Sequence, residues 1–234
     1  MANYAIRLNK DFKRIMGKAN RSQAVIRMAE GRISVNHYAW VMRQIFHQTR
    51  ENPQLQAFAT MFFHGRQRAM VAPFLEHAVQ EIGHDQLALN DLHSLGFDID
   101  GVQYEAPLAA TTALTAFAYY QICRGDPVGY LGYLYFLEHM PTASAGQYIE
   151  LFTRAGVPQN AFSFIREHAT VDATHNQWME RYIESLVGSD EAYEVVSQAM
   201  EATGYLYTQM VSCAFDAADE DEPTRMAPIE HAQR

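Results

Sequence analysis

Cysteine is scarce in this chain: Cys123 and Cys213 are the only two in 234 residues. Two cysteines are too few for a disulfide scaffold, and they form none of the paired-cysteine spacings of zinc sites. Long apolar runs are missing as well. The opening MANYAIRLNKDFKRIMGK mixes charges with apolar residues, so it lacks the core of a signal peptide, and no segment reaches the length of a membrane span. We therefore expect a cytoplasmic protein without a membrane partner.

Positive charge is also in short supply, with 18 Lys and Arg against 27 Asp and Glu and a formal net charge of -9. The basic residues are scattered, whereas phosphate recognition needs them clustered. This composition argues against nucleic acid as a partner. We expect a small-molecule substrate, with a homodimer as the assembly to test.

Apolar residues recur at helical spacing along most of the chain, and no pair of alternating strands is joined by a hairpin turn. The pattern predicts an all-α fold, with one domain of about seven helices over residues 1–217. Residues 218–234 are polar, acidic at first and interrupted by proline, which is typical of a mobile tail.

Capping residues, prolines and glycines predict the limits of these helices. Pro53 is expected to bend the second helix, and Gly96 to end the third. Pro141 falls inside the fifth, and Ser189 or Asp190 caps the last. The predicted helical segments are about 3–30, 36–63, 67–95, 107–124, 127–155, 160–188 and 190–217.

The clearest chemical pattern is EHATVDATHNQW, which places His168, Asp172 and His175 at relative positions 0, +4 and +7. On a helix these positions fall within roughly 60° of one another. Neutral imidazole and carboxylate together suit a divalent transition metal. The alternative is a polar surface stripe in which Asp172 pairs with the histidines.

A second pattern lies in LEHAVQEIGHDQLALNDL, where Glu81 and His84 have the Glu-x-x-His spacing of carboxylate-bridged di-iron bundles. Gly83 is expected to let another helix approach closely. His77 lies on the same face and is either a ligand, a support for a ligand or a polar edge residue, and we favour the support. Asp85 and Asp91 are expected to be solvated charges or hydrogen-bond acceptors.

Glu138 stands inside the apolar, aromatic run GYLGYLYFLEHMP. Desolvating an unpaired carboxylate there is costly, and a bound metal would offset that cost. The alternative is a glutamate that reaches solvent or pairs with an arginine. On the second helix, His47 and Glu51 lie one turn apart, and we favour His47 as a further ligand. Together these residues suffice for two metal ions, with iron the most suitable metal.

Over roughly residues 35–215 the chain resembles the haem-oxygenase-like di-iron oxidase superfamily, whose members keep the helical fold of haem oxygenase but bind non-haem iron. The resemblance is carried by EIGHDQLALNDLHSLG at 81–96, by Glu138 in YFLEHM and by the histidines and aspartate of the sixth helix, in the family's order. It implies a seven-helix haem-oxygenase-like bundle, two Fe(II) ions and O2 as co-substrate. The implied ligands are Glu81, His84, Glu138, His168, Asp172 and His175.

The early-helix carboxylate of that superfamily falls near His47 or Glu51, so the chain departs from the common pattern there. If His47 replaces the carboxylate, one ion gains a neutral ligand and binds more weakly, and partial occupancy is expected.

Members of the superfamily oxidise amino acids or fatty acids, with N-oxygenation, carbon-carbon cleavage, decarboxylation or nitrile formation as outcomes. The short chain and His47 resemble its nitrile-forming tryptophan oxidases, so a tryptophan derivative is the first substrate we expect. Oxidative decarboxylation of a fatty or amino acid, a lyase reaction and N-oxygenation are the alternatives. Tyr135 is a candidate substrate contact, and Arg50, Arg124 or Arg166 can clamp a substrate carboxylate. Each is also explained as a core or surface residue.

Three other classes compete with this interpretation. A thiaminase-like hydrolase would use Cys123 or Cys213 as its nucleophile, but it leaves the histidines unexplained. A non-catalytic helical protein could bind metal or a partner through the same residues. Haem binding is less favoured, because haem oxygenases carry their proximal histidine on the first helix, and in this chain no histidine precedes His37.

Overall fold

The computed structural model describes residues 4–124 and 127–221, although the side chains of residues 171–176 are not among those described. Every regular element within these ranges is helical, so the all-α prediction is confirmed. None of the described helices is long and apolar enough to cross a membrane.

The helices follow one another with short connections. Three of them have a serine as N-cap, and in two cases its side chain bonds the first turn: Ser22 Oγ accepts a hydrogen bond from Val25 N, and Ser189 Oγ accepts one from Ala192 N. The α-helices are α1 Tyr4–Ala19, α2 Gln23–Ala29, α3 Val35–Thr49, α4 Asn52–Ala59, α5 Val71–Glu81, α6 His84–Ser94, α7 Ala109–Cys123, α8 Tyr130–Arg154, α9 Ser163–Leu186 and α10 Asp190–Glu220. Short 3-10 turns cover Thr60–Phe62, Gly65–Met70, Pro127–Gly129 and Gln159–Ala161.

Three segments that the sequence predicts as single helices are each divided, so the described ranges contain ten α-helices where about seven were expected. The segment 3–30 is broken between α1 and α2, at residues 20–22. The segment 36–63 is broken between α3 and α4, and Pro53 lies in the first turn of α4, where its missing N–H costs nothing. The segment 67–95 is broken at Ile82 and Gly83. Ile82 is extended (ψ 121°), and Gly83 has a φ of +95°, which a residue with a Cβ rarely adopts.

Helix α8 lies at the centre of the molecule and packs between α9 and α10. Pro141 lies inside it, and the helix continues past the proline to Arg154. Gly132 lets α8 meet α10 backbone to backbone, because a Cβ there would lie 2.3 Å from Val196 O and 2.6 Å from Met200 N.

The core is rich in large aromatic side chains, which bury extensive apolar area. Tyr130, Tyr133 and Phe136 of α8 are almost completely inaccessible to solvent, as are Phe74 of α5 and Phe215 of α10. Burial of one such side chain contributes roughly 1.5–3 kcal/mol. The central helix is therefore held on several sides.

Helix α10 continues to Glu220, a little beyond the predicted domain limit at residue 217. Asp219 forms an ion pair with Arg27 (2.9 Å), and its Oδ1 lies 3.0 Å from His37 Nε2. These contacts join the end of α10 to α2 and α3. Residues 222–234 of the predicted tail lie outside the described ranges.

Candidate metal centre

Glu81 and His84 come together at the break between α5 and α6. Glu81 is the last residue of α5, His84 is the first of α6, and Glu81 Oε1 lies 3.5 Å from His84 Nδ1. A Cβ added to Gly83 would meet no described atom within 4 Å. The expectation that Gly83 permits a close helix approach is therefore wrong: the glycine is needed for its positive φ, which lets α6 leave in a new direction.

His168 approaches this pair from α9. Its ring is stacked on Phe164 at 4.0 Å and lies 4.9 Å from the ring of His84. His168 Nδ1 donates a hydrogen bond to the Phe164 carbonyl (2.8 Å), which leaves Nε2 with the lone pair. Burial lowers the pKa of His168, so the neutral imidazole that ligates metals is favoured. Ligand atoms of Glu81, His84 and His168 all lie within 4.8 Å of one another.

A second group of three shares Glu81 with the first. His77 Nε2 lies 3.2 Å from Glu138 Oε1 and 3.8 Å from Glu81 Oε1, and all three side chains are buried. Ligand atoms of this group also lie within 4.8 Å of one another. The sequence favoured His77 as a support behind a ligand, whereas the structure places it beside the carboxylates.

Asp172 and His175 belong to α9, but their side chains lie outside the described residues. The assignment of these two residues as ligands stays a prediction. His168, from the same motif, is the member whose position is described.

The structure does not bring His47 or Glu51 into either described group. His47 is 2% exposed, and its Nε2 lies 3.7 Å from Glu105 Oε1 in the loop before α7. Glu51 Oε2 accepts a hydrogen bond from Tyr119 (3.1 Å). The physical reason is the break after Thr49, which ends the continuous helical face that the sequence interpretation assumed.

Neutral side chains next to this break lie beside the candidate ligands instead. Gln48, Thr49 and Asn52 border a small cavity of about 40 Å³ together with Glu81, Glu138 and His168. Gln48 Nε2 donates to Asn52 Oδ1 (2.9 Å) and to the hydroxyl of Tyr133 (2.8 Å). No pattern in the sequence singles out these amides, because Gln and Asn occur on many helix surfaces.

A larger cavity of about 90 Å³ adjoins the small one and shares Met140, Pro141, Phe164 and His168 with it. Residues of α1 and α2 form part of its wall. None of the described lining residues is Asp, Glu, Lys or Arg. His168 is thus the point at which an apolar chamber meets the carboxylate groups.

The candidate substrate contacts do not line the described walls of either cavity. The ring of Tyr135 is stacked on His139 at 3.9 Å. Arg50 donates to the Gln103 carbonyl (3.2 Å), and Arg166 donates to the Gln159 carbonyl (2.5 Å). Arg124 is exposed and lies over the ring of Tyr120. These residues therefore have local roles in the structure.

Asp91 is completely buried and anchors the start of α9. Asp91 Oδ1 accepts hydrogen bonds from Ser163 N (2.7 Å) and Ser163 Oγ (2.6 Å), and Oδ2 accepts one from Phe164 N (3.1 Å). Burial raises the pKa of Asp91, and these donations offset part of that rise. Of the two roles expected for Asp91, the acceptor is the one observed, and it fixes the helix turn that precedes His168. Asp85 is half-buried and accepts from Gln86 (2.8 Å).

The residues of the two groups fit a metal. Buried carboxylates that face each other are stabilised by a cation, and oxygen with imidazole nitrogen is a donor set of iron and related divalent ions. Glu81 belongs to both groups, so the two groups share one buried carboxylate.

Comparison with known proteins supports this chemistry. The sequence model of a family described as iron-containing redox enzyme matches residues 39–206. No curated protein sequence is significantly similar to the chain. A domain of unknown function with a heme oxygenase-like fold from Shewanella denitrificans OS217 superposes with a TM-score of 0.83, at 22% identity over 95% of this chain and 96% of that one. A TenA homologue from P. horikoshii OT3 superposes with a TM-score of 0.73, at 12% identity over 91% of this chain and 98% of that one. At these identities the two structures show the fold alone, which confirms the haem-oxygenase-like bundle.

Proposed function

This chain belongs to the family of iron-containing redox enzymes, and we propose that it is a non-haem di-iron oxidase that uses O2 on a small, largely apolar substrate. One observation carries the proposal: the buried Glu81 is shared by two groups of carboxylates and imidazoles. The oxygen-using chemistry rests on the resemblance of the ligand pattern to di-iron oxidases.

In this proposal Glu81, His84, Glu138 and His168 hold the ions, together with Asp172 and His175. Iron bound there would supply electrons to dioxygen, a redox step that protein side chains do not perform. The hydrogen bond from His168 to the Phe164 carbonyl keeps one nitrogen directed at the centre. Asp91 fixes the turn from which that histidine projects.

The apolar chamber supports a substrate with an apolar body. Because none of its described lining residues is charged, the substrate's polar group is expected to face the His168 end, next to the metal ligands. An indole or an aliphatic chain fits this requirement. A free amino acid and a fatty acid both carry a carboxylate, and neither would find a described cationic partner in the chamber, so the lining does not choose between these two substrate classes.

The hydrolase alternative gains no comparable support. Neither Cys123 nor Cys213 is among the described residues that line the two cavities. Cys123 is exposed, and Cys213 is half-buried. A nucleophile in either position would lie apart from the carboxylates and histidines.

The proposal is tested by oxygen uptake. Metal-free protein is loaded anaerobically with Fe(II) and mixed with O2 and a panel of medium-chain fatty acids, tryptophan and tryptophan derivatives. We expect substrate-dependent oxygen consumption that is absent with Zn(II) and in Glu81→Ala. Binding of two Fe(II) ions without any substrate-dependent uptake would favour a non-catalytic metal-binding protein over the oxidase.

A further inference from the structure

His77 occupies a position that the pattern of the superfamily does not explain. It lies on α5 one turn before Glu81, and its ring is completely buried. The ring meets Trp178 edge to face at 5.0 Å and lies 6.2 Å from Tyr182, nearly parallel to it. These aromatic neighbours from α9 restrict the ring, so its orientation toward the carboxylates is fixed by packing.

The wall opposite α5 lacks an ionised ligand among the described residues. Gln48 and Asn52 present amides, and their side chains already bond to each other. His47 and Glu51 are engaged elsewhere. For an ion between Glu81 and Glu138, His77 is a described imidazole whose Nε2 lies within 4 Å of both carboxylates.

The distances fit shared coordination. Metal bonds of about 2.1 Å at tetrahedral or octahedral angles place neighbouring ligand atoms about 3 to 3.5 Å apart. His77 Nε2 lies 3.2 Å from Glu138 Oε1, within this range, and 3.8 Å from Glu81 Oε1, slightly beyond it. Residues at i and i+4 project from the same helix face, as two metal-binding histidines do in zinc-dependent proteases.

We propose that His77 is a direct ligand of the ion held between Glu81 and Glu138, so that α5 supplies two ligands one turn apart. The inference rests on the proposed di-iron function and adds a ligand to it. On this basis the second ion is held by a histidine of α5 in place of the carboxylate that the superfamily takes from its early helix.

The decisive variant is His77→Gln. A glutamine keeps an N–H donor near the Nε2 position, so it preserves a hydrogen bond to Glu138 but replaces the imidazole ligand. Metal-free protein is titrated anaerobically with Fe(II) for stoichiometry and with Co(II) for its visible absorption. We expect two ions in the unmodified protein, and in H77Q either a single ion or a second ion bound at least tenfold more weakly, with an altered Co(II) spectrum. His93→Gln, an exposed histidine of α6, is the matched control and should bind two ions.

Two ions in H77Q with an unchanged Co(II) spectrum would overturn the role of His77 and leave the di-iron proposal intact. Failure of the unmodified protein to bind two ions would overturn both. If H77Q does not fold, His77→Ala provides the test: it should bind one ion and recover the second when imidazole is added. Two ions in H77A without imidazole would contradict the inference.

Discussion

Two buried carboxylates, ten positions apart on α5 and α6, face α9 in very different surroundings. Asp91 accepts hydrogen bonds from two backbone N–H groups and a serine hydroxyl, and the Tyr38 hydroxyl lies 3.2 Å from its Oδ2. Glu81 lies 3.5 Å from one imidazole and 3.8 Å from another and shares its surroundings with a second buried carboxylate.

The difference separates a structural carboxylate from a candidate ligand. A buried charge that is surrounded by fixed donors is stabilised by the protein alone, and its role ends with positioning. A carboxylate grouped with imidazoles and a like charge is arranged for a cation. The predictions below test this distinction.

Removal of the shared carboxylate is expected to have the largest effect. Because Glu81 belongs to both groups, Glu81→Ala should lower the affinity for both Fe(II) ions by more than about 100-fold. This exceeds the loss of affinity that is typical when a residue only supports a ligand. Anaerobic titration with a chelator assay measures it. Asp85→Asn on the same segment serves as the control, and full binding in E81A would remove the distinction between the two carboxylates.

Replacement of each carboxylate by an amide should change the stability of the protein by different amounts at the two sites. In Asp91→Asn an NH2 group would face N–H and O–H donors, so we expect the free energy of unfolding to fall by about 3 kcal/mol. In metal-free Glu81→Gln the change should stay within about 1 kcal/mol, because the substitution also removes a buried charge next to Glu138. Urea denaturation measures both, and equal losses in the two variants would contradict the comparison.

The break that positions Glu81 and His84 can be tested with a pair of glycines. Gly83 has a φ of +95°, whereas Gly146 lies inside α8, and a Cβ on either would meet no described atom within 4 Å. Gly83→Ala should lower stability by about 1 to 2 kcal/mol, and Gly146→Ala should raise it by about 0.5 to 1 kcal/mol. Thermal unfolding measures both. Similar effects of the same sign would show that backbone conformation at Gly83 is unimportant.

Loss of a single polar contact at the structural carboxylate should have the smallest effect. Tyr38→Phe removes a hydroxyl that lies beside Asp91 and donates to the Ala161 carbonyl (2.8 Å). The free energy of unfolding should fall by about 1 kcal/mol. Fe(II) stoichiometry should remain unchanged in the same variant. A loss of iron in Y38F would mean that the two carboxylate sites are coupled.

Helical periodicity was enough to predict the all-α fold, because apolar residues at helical spacing recur along the chain. It did not predict the breaks at residues 20–22, 50–51 and 82–83. In the sequence Pro53 predicts a bend within one helix, and the apolar pattern continues past Ile82 to Leu87. The backbone angles that divide α5 from α6 depend on a single residue, Gly83.

Residue chemistry and spacing brought Glu81, His84, Glu138 and His168 into one prediction, and the structure places these four side chains around two overlapping groups. The orientation of α5 toward α8, which gives His77 its position, was not available from spacing. Asp91 accepts hydrogen bonds from Ser163 and Phe164, which lie 72 and 73 positions further along the chain, and no local sequence pattern predicts such partners.

The contact at Gly132 has a consequence for motion. With the backbones of α8 and α10 touching, any sliding or separation of these helices would disrupt packing along their whole shared length. We therefore expect the two to move as one rigid unit that carries Glu138. Local opening that admits a substrate to the chamber should then come from α1 and α2, whose residues form part of its wall.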